Sequence, residues 1–325
     1  MRALDLSEPI RLLQLLEQLR VPRAEVAIAA VNGTAVAIED ARVSDGDRVE
    51  LFPPVGGGSE RPNRARIRYG AEPQQFGDLR VPNRAGPHPV VAVVHGGFWR
   101  NRYDLEHIGP LCAALTGNGI ATWSVEYRRL GDPGGGWPGT FLDVAAAVNH
   151  LRTLAPQYNL DLERVVTMGH SAGGHLALWV AGLGRVARDS AIYVSDPLPL
   201  RAAISLAGVI DLRRASESRL SSGVTHELMG GSPAEFPERY AAASPMELLP
   251  FGVRQFLLHG TQDDNVPFEI SQRYYGAARA KGDDVELIEL PGIGHFELID
   301  PESDVRPRLL DAVRSATESH RSTQN

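Results

Sequence analysis

Short apolar runs alternate with helical patterns over most of this 325-residue chain. The spacing of apolar residues between the runs predicts helices at 140–155, 172–187, 269–282 and 303–320. Strands without a polar face belong in a sheet covered on both sides, and strand–helix–strand order favours parallel pairing. We therefore predict an α/β fold whose mostly parallel sheet has helices on both faces. The predicted strands are 90–97, 120–127, 164–169, 201–208, 254–260 and 284–290.

One long segment interrupts this alternation. Residues 212–250 are polar and contain many Gly, Pro and Ser residues, as in SSGVTHELMGGSPAEFPERY. Open α/β sheets bind ligands at the carboxyl ends of their strands, and long insertions often lie near that edge. We expect 212–250 to form a lid over it.

The first 58 residues follow another pattern. Leucines on one broad face predict a helix at 8–20, with Ser7 as its N-cap. Three apolar runs, EVAIAAVNG, TAVAIED and DRVELFPPV, follow with Asn-Gly and Asp-Gly turn signals between them. We predict a small α+β unit at 1–58, a Gly- and Pro-containing linker at 59–65, and an α/β domain at 66–325.

Composition excludes several function classes. Cys112 is the only cysteine, which excludes internal disulfides and multi-cysteine metal sites. The net charge of -7, with Arg interspersed among Asp and Glu, gives no basic face for nucleic acid. The start lacks a secretory signal pattern, and the uncharged window 171–184 is too short to span a bilayer. We expect a cytoplasmic protein without membrane partners, and a homodimer is retained as a candidate assembly.

A serine stands where a predicted strand meets a predicted helix. Gly169, Ser171 and Gly173 match G-x-S-x-G in GHSAGG, the context of a nucleophile elbow. The sharp turn crowds the backbone, so small neighbours give Ser171 room to adopt strained φ/ψ angles and expose its Oγ. The helix N-terminus adds partial positive charge where an oxyanion would form. The alternative is that Ser171 only caps a helix and the glycines permit close packing.

A serine nucleophile needs an imidazole base and a carboxylate that orients it, in the chain order Ser, acid, His. Asp263 and Asp264 follow the strand ending in HGTQDD, and His295 follows the next strand in GIGHF. Asp263 lies nearer the strand end and is the predicted acid, with His295 as the base and Asp264 as a loop or helix-start residue. His259 is the rival base, although its place in an apolar strand favours a buried structural role.

The loop after the first predicted strand supplies candidate oxyanion donors. In HGGFW, glycines let backbone N–H groups face a substrate carbonyl. We predict that Gly96 and Gly97, with the Phe98 amide as a further candidate, form the oxyanion hole with the Ala172 amide. We expect His95 to hold this loop through a hydrogen bond.

Three aromatic residues are candidates for substrate binding. Phe98 and Trp99 could stack on an aromatic substrate or simply pack a wide loop. Trp137, in GDPGGGWPGTF, either walls the same pocket or pins a loop.

The motifs HGGFW, GHSAGG, HGTQD and GIGHF together resemble the α/β-hydrolase superfamily over roughly residues 64–320. Within it, HGGFW, EYRRL and PERYAAASPMELLP are most similar to the small esterase and arylformamidase (kynurenine formamidase) branch. The resemblance implies hydrolysis of a carboxylic ester or an N-formyl amide, with the aromatic pair after HGG lining the acyl pocket.

The segments LLEQL, VNGTAV and VSDGDRVELFPPVGGG resemble the ubiquitin-like sulfur carriers of molybdopterin and thiamin biosynthesis over roughly residues 8–58. The resemblance implies a β-grasp fold, although the opening hairpin of that family has no counterpart before the helix. Such carriers react through a free C-terminal glycine carboxylate, whereas Gly58 continues into Ser59. We therefore expect a vestigial or docking module.

These residues predict a serine hydrolase that acts on a small-molecule ester or amide without a metal or organic cofactor. A peptidase of the prolyl-oligopeptidase type is an alternative, but the sequence has no propeller-sized segment to filter peptides. A sulfur-carrier or noncatalytic role led by the first 58 residues is the other alternative, and it requires cleavage after Gly58.

The base assignment predicts a pH profile. His295 must be neutral to accept the Ser171 proton, so hydrolysis rates should rise as the pH increases from acid towards neutral. Initial rates between pH 5 and 8 test this, and a flat profile would count against His295 as the base.

Overall fold

The computed structural model describes residues 8–19, 21, 28–32, 34–36, 38, 40–52 and 63–318. The chain divides after Glu60 into two compact units. Ser7, Gly58 and residues 59–62 of the predicted linker lie outside the described residues.

The first unit has a helix and short antiparallel strands, which are β1 (Ile10–Arg11), α1 (Leu12–Leu19), β2 (Ile28–Val31), β3 (Thr34–Val36), β4 (Arg42–Val43) and β5 (Val49–Phe52). Strand β2 lies between β3 and β5, and β1 pairs with β4. Leucines of α1 pack with Ala29, Ile38 and Val43 in a small core. The predicted helix and three strands are confirmed. Strands β1 and β4 are additional, because two residues are too few to show a period.

The second unit contains β6 (Asn63–Arg68), β7 (Phe76–Val81), β8 (His88–Val94), α2 (Gly109–Gly117), β9 (Ala121–Val125), α3 (Gly139–Asn149), α4 (Leu151–Tyr158), β10 (Leu160–His170), α5 (Ala172–Ala181), β11 (Ala202–Leu206), α6 (Leu212–Glu217), α7 (Leu220–Met229), α8 (Pro237–Ala243), α9 (Pro245–Leu248), β12 (Arg254–Gly260), α10 (Glu269–Ala280), β13 (Val285–Leu290) and α11 (Arg306–Thr317). Within residues 63–318 the strands form one sheet of eight, in the order β13-β12-β11-β10-β8-β9-β7-β6. Pairing is parallel from β13 to β9, and β7 is antiparallel to both β9 and β6.

The sheet is buried on both faces, as the apolar strands predict. In β8, Val90, Ala92 and Val94 face a core that also receives side chains from α3, α5 and α10. Val91 and Val93 face the opposite core, which α2 and α11 cover. Each buried valine contributes about 1.5 to 3 kcal/mol relative to its exposed state, so this central strand anchors the unit.

Strands β6 and β7 and helix α2 of the second unit are absent from the sequence prediction. Residues 63–65, assigned above to the linker, begin β6, whose alternating Arg64, Arg66 and Arg68 lack the apolar run of a central strand. Helix α2 was not predicted either, since GPLCAALTG is short and has glycine at both ends.

The insertion 212–250 is largely helical, comprising α6 to α9. Three non-glycine residues directly before and at the start of α7, Arg219, Ser221 and Ser222, have positive φ. The Met246 N–H donates to the Ile210 carbonyl and so ties the end of the insertion to the segment before it. Every helix among the described residues is too short or too polar to cross a membrane.

Cys112 is fully buried in α2, between the sheet and solvent-facing residues of the helix. Burial raises the pKa of its thiol to about 11. The thiol is therefore protonated at neutral pH, and Cys112 serves as a packing residue.

Asp78 of β7 bonds to two arginines of the edge strand β6, and these ion pairs should contribute to stability. Its buried carboxylate accepts hydrogen bonds from Arg64 Nε at 3.1 Å and Arg66 Nε at 2.8 Å. Burial acts to raise the pKa of Asp78, but the two guanidinium groups outweigh it and lower the pKa. Because the pKa is depressed on folding, the stabilisation is present above the unfolded value of about 3.9 and is lost as the pH falls below it.

We expect Asp78→Asn to lower the free energy of unfolding by about 1 to 3 kcal/mol at pH 7, with a difference that shrinks below about pH 4. Urea unfolding followed by tryptophan fluorescence reports on this unit, because all four tryptophans lie in it. The exposed Asp304→Asn is the control. A pH-independent difference between Asp78→Asn and the native protein would contradict the ion-pair account.

Candidate active site

Ser171 occupies a strained turn between β10 and α5. Its backbone has φ 57° and ψ -120°, a region that a non-glycine residue rarely adopts. The Ser171 N–H donates to Leu206 of the neighbouring strand β11, which holds the turn in place. The backbone strain expected at a nucleophile elbow is therefore present.

Glycines beside Ser171 allow backbone segments to come into contact. A Cβ at Gly169 would overlap the Gly173 carbonyl, and a Cβ at Gly173 would overlap the Val94 carbonyl at the end of β8. The start of α5 consequently packs directly on β8, the strand that leads into residues 95–99, the HGG loop. Any side chain at these positions would push Ser171 away from that loop.

The structure brings Asp263 and His295 together at the carboxyl edge of the sheet. Asp263 follows β12, and His295 follows the adjacent strand β13. His295 Nδ1 lies 2.6 Å from Asp263 Oδ2, and both side chains are almost completely buried. Asp264 is exposed, and within the described part of the chain its carboxylate accepts a hydrogen bond from the side chain of its neighbour Asn265. The geometry favours Asp263 over Asp264 as the partner of His295.

The Asp263 carboxylate has several further donors. Its Oδ1 accepts the backbone N–H groups of Asn265 at 2.9 Å and Val266 at 2.8 Å. His259 Nε2 lies 3.2 Å from Oδ2. Burial acts to raise the pKa of Asp263, but the hydrogen bonds from His259, His295 and Val266 outweigh it and hold the pKa far below its usual range. The carboxylate is thus ionised at every pH at which the protein would be assayed.

His259 is fully buried and engaged at both ring nitrogens. Besides Asp263, its Nε2 lies 2.9 Å from the Val266 carbonyl, and its Nδ1 lies 2.7 Å from Ser271 Oγ. All of these partners lie in the interior, where His259 has no exposed surface. These contacts fit the structural role that sequence reasoning preferred for it over the role of rival base.

The HGG loop approaches the elbow closely. A Cβ on Gly96 would lie 3.2 Å from Ser171 Cβ, so the loop backbone lies against the serine. Three successive residues, Gly97, Phe98 and Trp99, have φ of 109°, 52° and 54°. Ala172 is the first residue of α5, where N–H groups have no intrahelical acceptor. The loop and the helix start thus lie on two sides of Ser171.

His95 anchors this loop, as the sequence analysis expects. Its Nδ1 lies 2.8 Å from the Gly96 carbonyl oxygen, and its Nε2 lies 3.1 Å from Glu126 Oε1. The Tyr127 hydroxyl donates to the His95 carbonyl, and the two rings stack with centroids 4.6 Å apart.

Glu126 is the residue of this network that the sequence analysis missed. Its buried carboxylate also accepts the N–H groups of Leu105 at 3.0 Å and Tyr127 at 3.1 Å, and it pairs with Arg129 at 2.9 Å. Burial acts to raise the pKa of Glu126, but His95 and Arg129 outweigh it and lower the pKa. A charged residue directly after an apolar strand was the available signal, since a buried carboxylate requires partners.

The three aromatic candidates have different environments. Trp99 has no exposed surface and packs in the core edge-on to His175, which fits the packing alternative and not substrate stacking. Phe98 is half-buried on the same loop. The Trp137 backbone N–H donates to the Leu228 carbonyl of the insertion, and the Trp137 ring contacts Phe141, which fits the loop-pinning alternative.

The rim beside His295 carries exposed aromatic rings. Phe296 is 56% exposed and lies edge-on to His295 with ring centroids 5.1 Å apart. Tyr103 is 37% exposed and contacts His107. Phe296 therefore gives the surface next to the His295 imidazole an exposed apolar ring, and the exposed Glu297 follows it in the chain.

The imidazole ring of His170 lies between those of His107 and His295. The ring centroids of His107 and His170 are 5.8 Å apart, and those of His170 and His295 are 4.4 Å apart. Burial lowers the pKa of both His107 and His170. Among the described residues, no group of three or more His, Cys, Asp or Glu side chains could hold a metal ion.

The insertion reaches the HGG loop through Arg100. Its guanidinium donates to Ser221 Oγ at 3.2 Å, to the Ser221 carbonyl at 3.3 Å and to Glu227 at 3.0 Å. Residues 212–250 are thus bonded to the segment that follows the candidate oxyanion donors.

The model of the BD-FAE family matches residues 78–277, which is more than half of the chain. The chain belongs to the BD-FAE family. The matched range includes Ser171, Asp263 and the HGG loop, and it ends before His295. Residues 2–58 match the ThiS family, in agreement with the β-grasp prediction for the first unit.

Several curated relatives of this BD-FAE chain are esterases by name. Esterase LipC of Mycobacterium tuberculosis (strain ATCC 25618 / H37Rv) is 29% identical over 86% of the chain and 72% of LipC. Esterase LipQ of the same organism is 30% identical over 72% of the chain and 55% of LipQ. The probable isoprenylcysteine alpha-carbonyl methylesterase ICMEL1 of Oryza sativa subsp. japonica is 28% identical over 75% of the chain and 60% of that protein. The alignment therefore spans less than two thirds of the length of the last two.

Solved structures with the same fold include a truncated carbohydrate esterase from gut microbiota, with TM-score 0.66, 22% identity and coverage of 78% of this BD-FAE chain and 95% of that chain. Esterase B from Lactobacillus rhamnosis (HN001) has TM-score 0.66 and 24% identity, covering 79% of this chain and 89% of its own. At these identities the likeness shows the α/β-hydrolase fold.

The Glu126 network predicts how the HGG loop responds to substitution. We expect Glu126→Gln to lower the free energy of unfolding by about 1 to 3 kcal/mol, because an amide presents an N–H group where the carboxylate accepted one. Amide hydrogen exchange in peptides covering 95–107 should become faster, while peptides from β12 keep their rates. Mass spectrometry measures both, with the exposed Glu163→Gln as the matched control. Unchanged exchange in 95–107 would show that Glu126 does not hold the loop.

Proposed function

We propose that this protein is a serine hydrolase that cleaves a small carboxylic ester through an acyl-enzyme. The observation that carries the proposal is the 2.6 Å hydrogen bond between His295 and a buried, ionised Asp263, formed at the sheet edge that presents the strained Ser171 turn. Strain of this kind persists where the surrounding structure enforces it, and it is concentrated at functional sites.

The proposed reaction has two halves. Ser171 Oγ attacks the ester carbonyl while His295 Nε2 takes its proton, and the Asp263 carboxylate stabilises the resulting imidazolium through Nδ1–H. The imidazolium then protonates the leaving alkoxide as the carbon–oxygen bond breaks, which leaves an acyl-enzyme. Water, deprotonated by His295, attacks that ester and releases the acid and Ser171. The contact between Ser171 and His295 belongs to the proposal, since such hydrogen bonds often shorten only with substrate bound.

The oxyanion of each tetrahedral intermediate would lie between the HGG loop and the start of α5. The Gly97 and Ala172 N–H groups are the proposed donors, with the Gly96 and Phe98 amides as neighbours. One such donor is typically worth about 10² to 10³ in kcat. The close packing of Gly96 on Ser171 supports this placement, because a side chain there would fill the space beside the serine.

An uncharged, apolar alcohol is the leaving group that this rim fits best. The leaving oxygen must lie beside His295 to receive its proton, and the exposed ring of Phe296 lies against that imidazole. The esterase names of LipC and LipQ support ester over amide hydrolysis. Hydrolysis of an N-formyl arylamide is the narrower alternative, which the half-buried Phe98 beside the site would favour.

A substrate panel tests the reaction class. We expect short p-nitrophenyl esters to have higher kcat/KM than N-formylkynurenine and Pro-containing peptide amides. Ser171→Ala should lower kcat by about 10⁴-fold or more, and Asp263→Asn by about 10³- to 10⁴-fold, because the first removes the nucleophile and the second misorients the base.

The neighbouring Asp264→Asn is the control for Asp263→Asn, since Asp264 is exposed. A p-nitrophenyl phosphonate should add covalently to Ser171, as located by peptide mass spectrometry, and not to the Ser171→Ala variant. Preference for N-formylkynurenine would reassign the protein to the formamidases. Ester turnover that survives Ser171→Ala would remove the serine mechanism.

A further inference from the structure

His170 contacts all three segments that build the candidate active site. It is the last residue of β10 and directly precedes Ser171. Its Nε2 lies 3.0 Å from the His295 carbonyl oxygen, and a Cβ on Gly96 would lie 3.2 Å from its Nδ1. One buried side chain therefore touches the base loop and the HGG loop while its backbone leads into the elbow.

The hydrogen bonds fix the proton position on His170. A carbonyl oxygen only accepts, so Nε2 carries the hydrogen and donates it to His295. Burial, together with the neighbouring imidazoles of His295 and His107, holds the pKa of His170 well below its usual value. The ring is therefore neutral, with a lone pair on Nδ1.

That lone pair has no partner among the described residues. A buried unsatisfied polar atom typically costs about 1 to 3 kcal/mol, and such atoms require an explanation. An apolar side chain of similar size would avoid the cost, but it would also lose the Nε2 donor. What the imidazole retains is the bond to the His295 backbone.

We propose that His170 is a positioning residue that holds His295 in register with Ser171 through the Nε2–H bond to the His295 carbonyl. The 4.4 Å ring contact adds a second restraint, because it limits rotation of the His295 ring away from the elbow. The elbow and the base come from strands β10 and β13, which are separated in the sheet by β11 and β12. The His170 side chain connects the loops after these two strands directly, without passing through β11 and β12. The catalytic part of this inference rests on the proposed hydrolase function.

Two substitutions separate the hydrogen bond from the volume. His170→Gln keeps an N–H donor at a comparable reach, whereas His170→Met has a similar length and no donor. We expect His170→Met to lower kcat per active site by about 10- to 100-fold with KM changed less than about threefold, because small displacements of a catalytic group are costly. His170→Gln should recover kcat to within about fivefold of the native value. Phosphonate titration counts the competent sites, so loss of folded protein is not read as loss of rate.

A second readout does not depend on activity. Amide hydrogen exchange in peptides covering 291–299 should become faster in His170→Met and remain near native in His170→Gln. His175→Met is the matched control, because His175 is also buried, has Nε2 2.9 Å from a carbonyl (Ala243) and leaves Nδ1 unpartnered among the described residues. It should leave exchange in 291–299 unchanged.

The outcomes distinguish the two proposals. If exchange in 291–299 is unchanged in His170→Met, or if His170→Gln is as impaired as His170→Met, His170 does not act through its donor and the inference is wrong. If Ser171→Ala remains active while exchange responds as expected, the serine hydrolase proposal fails and the tether to His295 stands. If KM rises while kcat per site is unchanged, His170 shapes the substrate site and does not position the base.

Discussion

The close approach of three backbone segments at Ser171 is the constraint on which the site depends. The serine holds a positive φ because β10 must end and α5 must begin within one residue, and Gly169 and Gly173 let that turn pack on β8. The same contact brings the HGG loop against the serine, since that loop leaves β8. The position of the nucleophile and the position of the candidate oxyanion donors are therefore set by one packing arrangement.

Buried polar groups then hold the loops that the sheet alone would leave free. Asp263 is surrounded by N–H donors, which keep its carboxylate ionised beside His295. The Glu126 carboxylate holds the HGG loop through its bond to His95. Each carboxylate would be costly to bury without these partners. Breaking any one of these bonds would therefore displace a loop of the site. The proposed chemistry depends on the positions of those loops.

Much of the fold follows from local patterns in the sequence. The six apolar runs and their intervening helices predict the parallel part of the sheet, and G-x-S-x-G at a strand–helix junction predicts the turn at Ser171. Strands β6 and β7 escaped prediction because the arginines of β6 are paired with Asp78 of β7, which no local period reveals. The Glu126 network escaped for the same reason, as its donors are spread over separate segments. The sequence left Trp99 open between stacking on a substrate and packing, because its burial depends on distant neighbours such as His175.

The sequence by itself determined the six parallel strands and their order along the chain, the turn chemistry at the elbow and the candidate identities of Ser171, Asp263 and His295. These depend on periodicity, glycine placement and chain order, which are local properties. Only the tertiary structure gave the 2.6 Å bond between His295 and Asp263, and the bond by which His170 links the elbow to the base loop. Hydrogen bonds require a few tenths of an ångström of accuracy between residues far apart in the chain, and that accuracy arises only when the sheet and its buried loops are packed together.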